Sequence, residues 1–197
     1  MTAFRSTARQ LTVAARALAL FTLVLGIAYP LLATAVAQAL PRQAGGSPAV
    51  VNGTVTGSTL IGQSFTDSSG AALPEFFQSR PGAYDGAASG GSNLGPASTE
   101  LADIVAERRR NVAALESVPA DQVPADAVTA SASGLDPHIS PNYAYLQVPR
   151  VAQARELPED AVRALVDAAV AGRTAGFLGE PTVNVLELNM ALAELDT

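Results

Sequence analysis

The sequence contains no cysteine, no lysine and no tryptophan, and it has one histidine, His138. The missing cysteines exclude a thiol nucleophile, a thiolate metal site and disulfide cross-links. The missing lysines exclude a P-loop lysine and a Schiff-base lysine, so the chain is not itself an ordinary ATPase. Aromatic residues make up only 5% of the chain, which argues against a stacking platform for bases or sugars. The fold therefore depends on an apolar core built mainly of Ala, Val and Leu.

Acidic residues are absent before Asp67, whereas arginine occurs at positions 5, 9, 16 and 42. From residue 43 onward there are eight arginines and 18 acids, which gives a net charge of −10. A domain of this charge is a poor nucleic-acid binder, because phosphate contacts need clustered positive charge. We therefore expect no nucleic-acid partner.

Residues 17–40 form a long run without any side chain that is charged at neutral pH. As a helix this run would be about 36 Å long, enough to cross a hydrocarbon core of about 30 Å. The alternative is a cleaved signal peptide, since small residues at 33–37 resemble a cleavage site. The length of the run favours a retained anchor, and Arg5, Arg9 and Arg16 before it predict a cytoplasmic N-terminus. Ala33 and Ala37 recur at the four-residue spacing found on helix faces that pack in membranes.

These patterns predict a mixed α/β or α+β protein with four segments. Residues 1–16 are the cytoplasmic N-terminus, 17–40 the transmembrane helix, 41–58 a linker or first turn, and 59–197 a single extracytoplasmic domain.

Within the domain, apolar periodicity and turn residues predict the following elements. Residues 59–65 and 127–131 fit short strands, and 72–77 fit a turn of helix. The sequence predicts helices near 98–116 and 158–174, the first capped by Ser98 or Thr99, and a strand that runs into a closing helix over 183–195. Residues 141–155 fit two short helices broken at Pro149. The Arg108-Arg109-Arg110 run fits a solvated helix face, although it could also bind an anionic surface.

Two loops carry candidate functional residues. In residues 89–96 the glycines permit unusual backbone angles, and their N–H groups could form either a structural turn or an anion cradle. In residues 131–141, Asp136 and His138 flank a proline and have serines nearby. A periplasmic hydrolase would use one serine as nucleophile and His138 as base, but the local spacing matches no recognised triad. A free-standing, membrane-anchored binding module is the second alternative.

Several segments, in this order, resemble one protein family. They are LIGQSF at 60–65, RPGAYDGAASGGSNLGP at 80–96, VTASASGLDPHISP at 128–141, QVPRVAQAR at 147–155 and GEPTVNVLELNMAL at 179–192. Together they resemble KdpC, the C subunit of the bacterial Kdp potassium-transporting P-type ATPase. Gly82 and Ala132 depart from the Ser and Gly expected of that family.

The resemblance implies an accessory subunit without activity of its own, located in the inner membrane. Its implied partners are a potassium-selective, channel-like A subunit and a P-type B subunit that hydrolyses ATP. The C subunit would support assembly and act as a catalytic chaperone that raises the ATP affinity of the B subunit, with no firmly bound cofactor. The residue matching Gln147 is implied to help coordinate nucleotide. The positions implied to form the family motif or a partner contact are Ser89, Gly90, Gly91, Ser92, Asn93, Gly134, Leu135, Asp136, Pro137, His138 and Arg150.

The implied nucleotide contact conflicts with the charge pattern of the chain. A cytoplasmic N-terminus places residues 43–197 outside the cell, whereas ATP is inside. Either the effect on ATP affinity is transmitted through the membrane helices, or the predicted topology is wrong. The arginines and the long uncharged run favour the predicted topology.

Overall fold

Two separate units make up the computed structural model, which describes residues 2–51 and 53–195, with side chains from residue 7 onward. The first unit extends to Ser47 and the second begins at Pro48. Arg5, one of the three charges on which the predicted orientation rests, has its side chain outside the described part.

The first unit is dominated by a continuous helix. It consists of α1 (Thr2–Leu23), a π-helical turn (Val24–Ala28) and α2 (Tyr29–Ala37). The π-helical turn lies directly before Pro30, whose ring and missing N–H disrupt regular α-helical bonding to the preceding turn. Residues Thr7–Ala37 are long and apolar enough to cross a membrane, with a mean hydropathy of 2.1. The helix therefore begins before the predicted segment 17–40 and ends three residues earlier.

Residues 41–58 contain regular structure that their composition did not suggest. A short helix, α3 (Pro41–Ala44), precedes an antiparallel hairpin of β1 (Pro48–Val51) and β2 (Thr54–Ser58). Gly53 has φ +77°, as the tight turn between paired strands requires. The Asn-Gly dipeptide at 52–53 was the available sequence signal for this hairpin.

Four further helices and a small sheet form the rest of the second unit. The helices are α4 (Thr99–Glu116), α5 (Pro141–Arg155), α6 (Glu159–Ala169) and α7 (Val185–Leu195), with short 3₁₀ turns at Ala120–Gln122 and Ala125–Ala127. The strands are β3 (His138–Ile139), β4 (Val170–Ala171) and β5 (Thr182–Asn184). They form an antiparallel sheet in the order β3-β5-β4, in which His138 pairs with Asn184 and Val170 with Val183.

The core lies where α5, α6 and α7 pack on this sheet. It is mainly Val, Ala and Leu, as the composition predicted, with Phe77, Ile139 and Tyr143 added. Each helix contributes apolar residues at intervals of three or four positions, which is the spacing that places side chains on one face. On α6, for example, Val162 and Val166 are both fully buried.

The structure confirms several predicted elements. Helix α4 starts after Ser98, whose hydroxyl accepts a bond from the Leu101 N–H at 3.3 Å, as an N-cap does. The succession of β5 and α7 also agrees with the sequence patterns, and α6 does so from Glu159 to Ala169. The prediction that this helix continues to residue 174 is wrong, because residues 170–171 pair with β5 as strand β4.

Four other local predictions are wrong. Residues 59–65 and 127–131 form no strand, and residues 72–77 form a turn without a helix. Helix α5 is one helix that continues through Pro149, because buried side chains on both sides of the proline hold its two halves against the core. These include Gln147, Val148, Val151 and Ala152.

Candidate functional site

The two loops singled out from the sequence lie against each other. The Gly90 N–H donates to the Ser133 carbonyl at 2.8 Å, and the Ser89 hydroxyl donates to the same oxygen at 3.1 Å. A Cβ atom at Gly91 would lie 3.0 Å from the Ala132 carbonyl oxygen. The glycines therefore allow close approach of the two backbones, which is the structural reading of this loop.

Gly134 is the point where further segments join these loops. Its φ of +68° is one that residues with a Cβ rarely adopt, and a Cβ there would lie 2.9 Å from the Gly90 carbonyl oxygen. The Gly134 carbonyl accepts a bond from the Tyr84 N–H at 3.3 Å, and the next carbonyl, of Leu135, accepts from the Gly62 N–H at 2.8 Å. Three of the quoted sequence segments, 60–65, 80–96 and 128–141, therefore meet at one place in the fold.

Gly82, where the family resemblance led us to expect Ser, packs closely at this junction. A Cβ at this position would lie 2.9 Å from the Gly134 carbonyl oxygen. Glycine suits this arrangement of the loops better than serine would.

Asp136 organises the turn that contains Pro137. Its carboxylate accepts bonds from the His138 N–H at 3.0 Å and from His138 Nδ1 at 3.1 Å, and it pairs with Arg80 at 3.3 Å. The other Arg80 nitrogens donate to the carbonyls of Thr129 and Ala130. The carboxylate and the guanidinium therefore tie the turn to the preceding loop.

The geometry gives no support to a serine hydrolase. The His138 side chain is 44% exposed, and no serine hydroxyl is hydrogen-bonded to it within the described residues. The nearby serines have other partners: Ser131 contacts Ser133, and Ser140 bonds Asp126 and caps α5. The Asp136–His138 contact therefore stabilises the turn, because a catalytic triad also needs a nucleophile that is hydrogen-bonded to the histidine.

No group of three or more His, Asp or Glu residues able to hold a metal ion occurs among the residues that the structure describes.

Ser92 and Asn93 lie at the exposed side of the loop junction, and Asn93 has φ +55°. Both line a cleft of about 360 Å³ together with residues 129–132. An anion cradle at this loop stays a prediction.

Gln147 lies on the buried face of α5. Its side-chain amide is fully buried. Its Oε1 accepts from the Gln78 N–H at 2.6 Å, and its Nε2 donates to the Gln78 carbonyl at 3.2 Å. The Gln147 amide thus makes the two hydrogen bonds to the Gln78 backbone that a neighbouring β-strand would otherwise make.

Asn189 on α7 makes the corresponding pair of hydrogen bonds to the backbone of Phe77, the residue before Gln78. Its Oδ1 accepts from the Phe77 N–H and its Nδ2 donates to the Phe77 carbonyl, both at 2.9 Å. We call Gln147 and Asn189 the amide clamp. It fixes residues 77 and 78, which belong to no helix or strand, against two helices.

Arg150 completes this buried polar cluster. Its Nε bonds both carboxylate oxygens of Glu116, at 3.0 and 2.9 Å, and another nitrogen donates to Gln147 Oε1 at 2.8 Å. It also donates to the Phe76 carbonyl at 3.0 Å. Burial raises the pKa of Glu116, and the hydrogen bond and charge of Arg150 oppose that rise. Arg150 is therefore a partner of buried groups inside the domain.

Comparison with known proteins decides the family. The family model described as "KdpC: K+-transporting ATPase, c chain" matches residues 11–194. The chain belongs to the KdpC family.

Curated KdpC relatives cover nearly the whole chain. A protein of Kineococcus radiotolerans is 52% identical over 172 residues, which are 85% of each chain. One of Acidobacterium capsulatum is 50% identical over 189 residues, or 91% of this chain and 97% of the relative. One of Caulobacter vibrioides is 52% identical over 180 residues, or 88% and 87%. Each is named "Potassium-transporting ATPase KdpC subunit", so the resemblance drawn from the sequence segments is confirmed.

In this KdpC chain Asn189 and Glu116 also belong to the buried cluster, although they were not among the predicted site residues. A signal existed for Asn189, because it is a polar residue on the face of α7 that also carries Leu186, Val185 and Leu192. Glu116 had none, since the last residue of an amphipathic helix is ordinarily solvated. The structure brings Gln147 and Arg150 together but places them apart from the Gly134–His138 loop in the hydrogen-bond network.

Proposed function

We propose that this KdpC chain is a non-catalytic accessory subunit of an ATP-driven potassium import complex. It supports assembly with a channel-like A subunit and raises the ATP affinity of a P-type, ATP-hydrolysing B subunit. The family match over residues 11–194, which includes both the apolar helix and the domain, carries this proposal. Catalysis in a partner is also consistent with a chain that has neither lysine nor cysteine.

The effect on ATP affinity is proposed to pass through the partner subunits. Arg9 and Arg16 lie in the N-terminal part of the helix, before its uncharged residues 17–37, and they favour a cytoplasmic N-terminus, as does Arg5 in the sequence. The second unit would then lie outside the cytoplasmic membrane, away from cellular ATP. The burial of Gln147 supports this proposal, because both polar atoms of its amide already have partners within the domain.

The orientation can be tested by labelling introduced thiols with an impermeant maleimide. The chain has no cysteine of its own, so each variant carries one thiol. Ser92→Cys and Ala106→Cys are suitable because both positions are exposed, whereas Ser47 is only 6% exposed. We expect both to be labelled in intact cells. Labelling only after the membrane is opened would place the domain inside and contradict transmitted control.

An exposed hairpin is the proposed contact with a membrane partner. Thr174 and Leu178 exchange backbone hydrogen bonds of 2.9 and 3.0 Å, which places Phe177 and Leu178 near a tight turn. These two side chains are 70% and 54% exposed. Adjacent large apolar side chains on a surface mark interaction sites more often than single ones do.

Co-purification with the A and B subunits tests both assembly and this contact. The wild-type chain is expected to purify with both partners, whereas a free-standing binding module would purify alone. A Phe177→Ser, Leu178→Ser double variant is expected to lose most of the complex without loss of its own stability. Leu195→Ser, which replaces one 43% exposed side chain near the end of α7, is the control. An unchanged complex with the double variant would exclude the hairpin as the contact.

A further inference from the structure

Arg108 lies between two clefts in the second unit. The larger cleft has a volume of about 510 Å³ and the smaller about 360 Å³, and Arg108 contributes to the walls of both. Asn111 follows one turn later on α4 and lines the larger cleft. Residues three positions apart lie on the same helix face, so the two polar side chains flank one region of the surface.

The walls of both clefts are unusual for this acidic domain. From residue 43 onward acids outnumber arginines by 18 to eight, yet neither cleft has a carboxylate among its lining residues. The larger cleft contains two arginines, but Arg80 is already paired with Asp136 and with two backbone carbonyls. Arg108 is therefore the guanidinium that gives this region its positive charge.

The Arg108 guanidinium retains capacity to bind a ligand. It carries five N–H donors, and its one hydrogen bond to another described residue is from NH1 to the Val128 carbonyl at 3.2 Å. That bond fixes the side chain and leaves other donors for an oxyanion. An arginine held in this way can bind a phosphate through two parallel hydrogen bonds.

Apolar surface accompanies this charge in the larger cleft. Phe65, Tyr84 and Tyr143 contribute aromatic rings, and Val112 and Leu115 contribute aliphatic groups from α4. Its volume falls in the range of about 300–1,000 Å³ that is usual for small-molecule sites. Charge at one edge of an apolar cleft suits an amphipathic anion.

We propose that Arg108 binds the phosphate of an amphipathic phosphate ester, with its apolar group in the larger cleft. A phosphate monoester suits this position, because its three non-bridging oxygens can accept two parallel bonds from Arg108 and a third from Asn111, whereas a carboxylate has only two oxygens. Asn111 donates a further hydrogen bond from its side-chain amide. The ester is either a soluble metabolite or the headgroup region of an anionic phospholipid.

Titration of the full-length chain with phenyl phosphate tests the site. The protein is held in phosphatidylcholine nanodiscs, and heat is measured by calorimetry. We expect saturable binding of phenyl phosphate and at least tenfold weaker binding of inorganic phosphate, which lacks the apolar group. Arg108→Gln should weaken phenyl phosphate at least tenfold, and Arg110→Gln less than twofold. Arg110 carries the same charge on the same helix but lines neither cleft.

Two results of this titration would overturn the proposal. One is an absence of saturable phenyl phosphate binding to the wild-type chain. The other is an equal loss in the Arg108 and Arg110 variants, which would indicate general charge attraction.

A second variant keeps the test valid if loss of the bond to Val128 disturbs the fold. Ala71→Trp fills the larger cleft from an exposed position and leaves Arg108 intact. It should weaken phenyl phosphate at least tenfold and leave inorganic phosphate within twofold. Unchanged phenyl phosphate binding would overturn the proposed cleft.

The source of the ester is identified by the lipid of the nanodisc. If an anionic headgroup occupies the site, adding phosphatidic acid should lower the apparent affinity for phenyl phosphate, and Arg108→Gln should abolish this competition. If the affinity is the same in both lipids, the site takes a soluble ester.

Discussion

Replacing Gln147 by Ala should destabilise the domain before it affects any nucleotide contact. The substitution removes both hydrogen bonds between the side-chain amide and the backbone of Gln78. Because Gln147 is fully buried and Gln78 is 8% exposed, an N–H and a carbonyl are left without partners in the interior. Each such group costs about 1–3 kcal/mol, so the expected loss is about 2–6 kcal/mol. That is a large part of the roughly 5–15 kcal/mol by which a domain is stable.

Asn189→Ala is the matched control for this prediction. It removes the corresponding pair of bonds to Phe77, with an expected loss of about 2–6 kcal/mol. It leaves in place the bond from Arg150 to Gln147, which Gln147→Ala also removes. The family resemblance assigns no nucleotide contact to Asn189. Any property that depends only on the buried amide clamp should therefore change in both variants.

Two measurements on the same variants separate the explanations. Guanidinium unfolding of the full chain in detergent, followed by the near-ultraviolet circular dichroism of tyrosine, gives the free energy of unfolding. ATP hydrolysis by the assembled complex gives the ATP concentration at half-maximal rate. We expect this concentration to rise similarly in the Gln147 and Asn189 variants. If both are equally destabilised but only Gln147→Ala changes it, direct coordination is the better account and our reasoning is refuted.

Three further predictions follow from the Glu116–Arg150 pair, the loop junction and the long apolar helix. Since burial raises the pKa of Glu116 in the folded state, its contribution to stability is greatest below the usual pKa and declines as pH rises through the raised value. The free energy of unfolding of the wild type, minus that of Glu116→Gln, should therefore fall with rising pH. The expected fall is about 1.4 kcal/mol for each tenfold ratio between the acid dissociation constants of Glu116 in the unfolded and folded states. A free-energy difference that rises with pH would contradict this. Gly134→Ala should lower the free energy of unfolding by about 1–3 kcal/mol, because φ is positive there and the added Cβ approaches the Gly90 carbonyl oxygen. Gly86→Ala is the control and should change thermal stability little, because a Cβ there meets no atom within 4 Å. Ala33→Leu should reduce co-purification with membrane partners if close helix packing uses this face, and a normal yield of complex would exclude it.

Sequence patterns predicted an element correctly where its structure depends mainly on residues close to it in the chain. The apolar run, the Ser98 cap and the periodicity of α4, α6 and α7 are local signals, and each leads to the helix that the structure shows. Segment order was also sufficient for the family, because the quoted motifs identify it without any geometry.

Local patterns failed where distant residues decide the backbone. Residues 59–65 and 127–131 have strand-like composition, but their backbone groups bond to side chains and loops. None of the strands in the described part of the chain pairs with them. Pro149 should have broken α5, yet burial on both sides of it outweighs the lost hydrogen bond. In each case packing overrides a local preference that is worth only a few kcal/mol.

The amide clamp marks the limit of what the sequence could decide about the candidate site. Gln147 and Arg150 were identified by resemblance, but their burial and their bonds to residues 76–78 were not foreseen. Gln147 is 69 positions from Gln78, and Asn189 is 112 positions from Phe77. No local pattern relates residues so far apart. The sequence by itself determined the long apolar helix, the positions of α4, α6 and α7, and the family. Only the tertiary structure determined which polar groups face the interior, because burying them requires partners supplied from elsewhere in the chain.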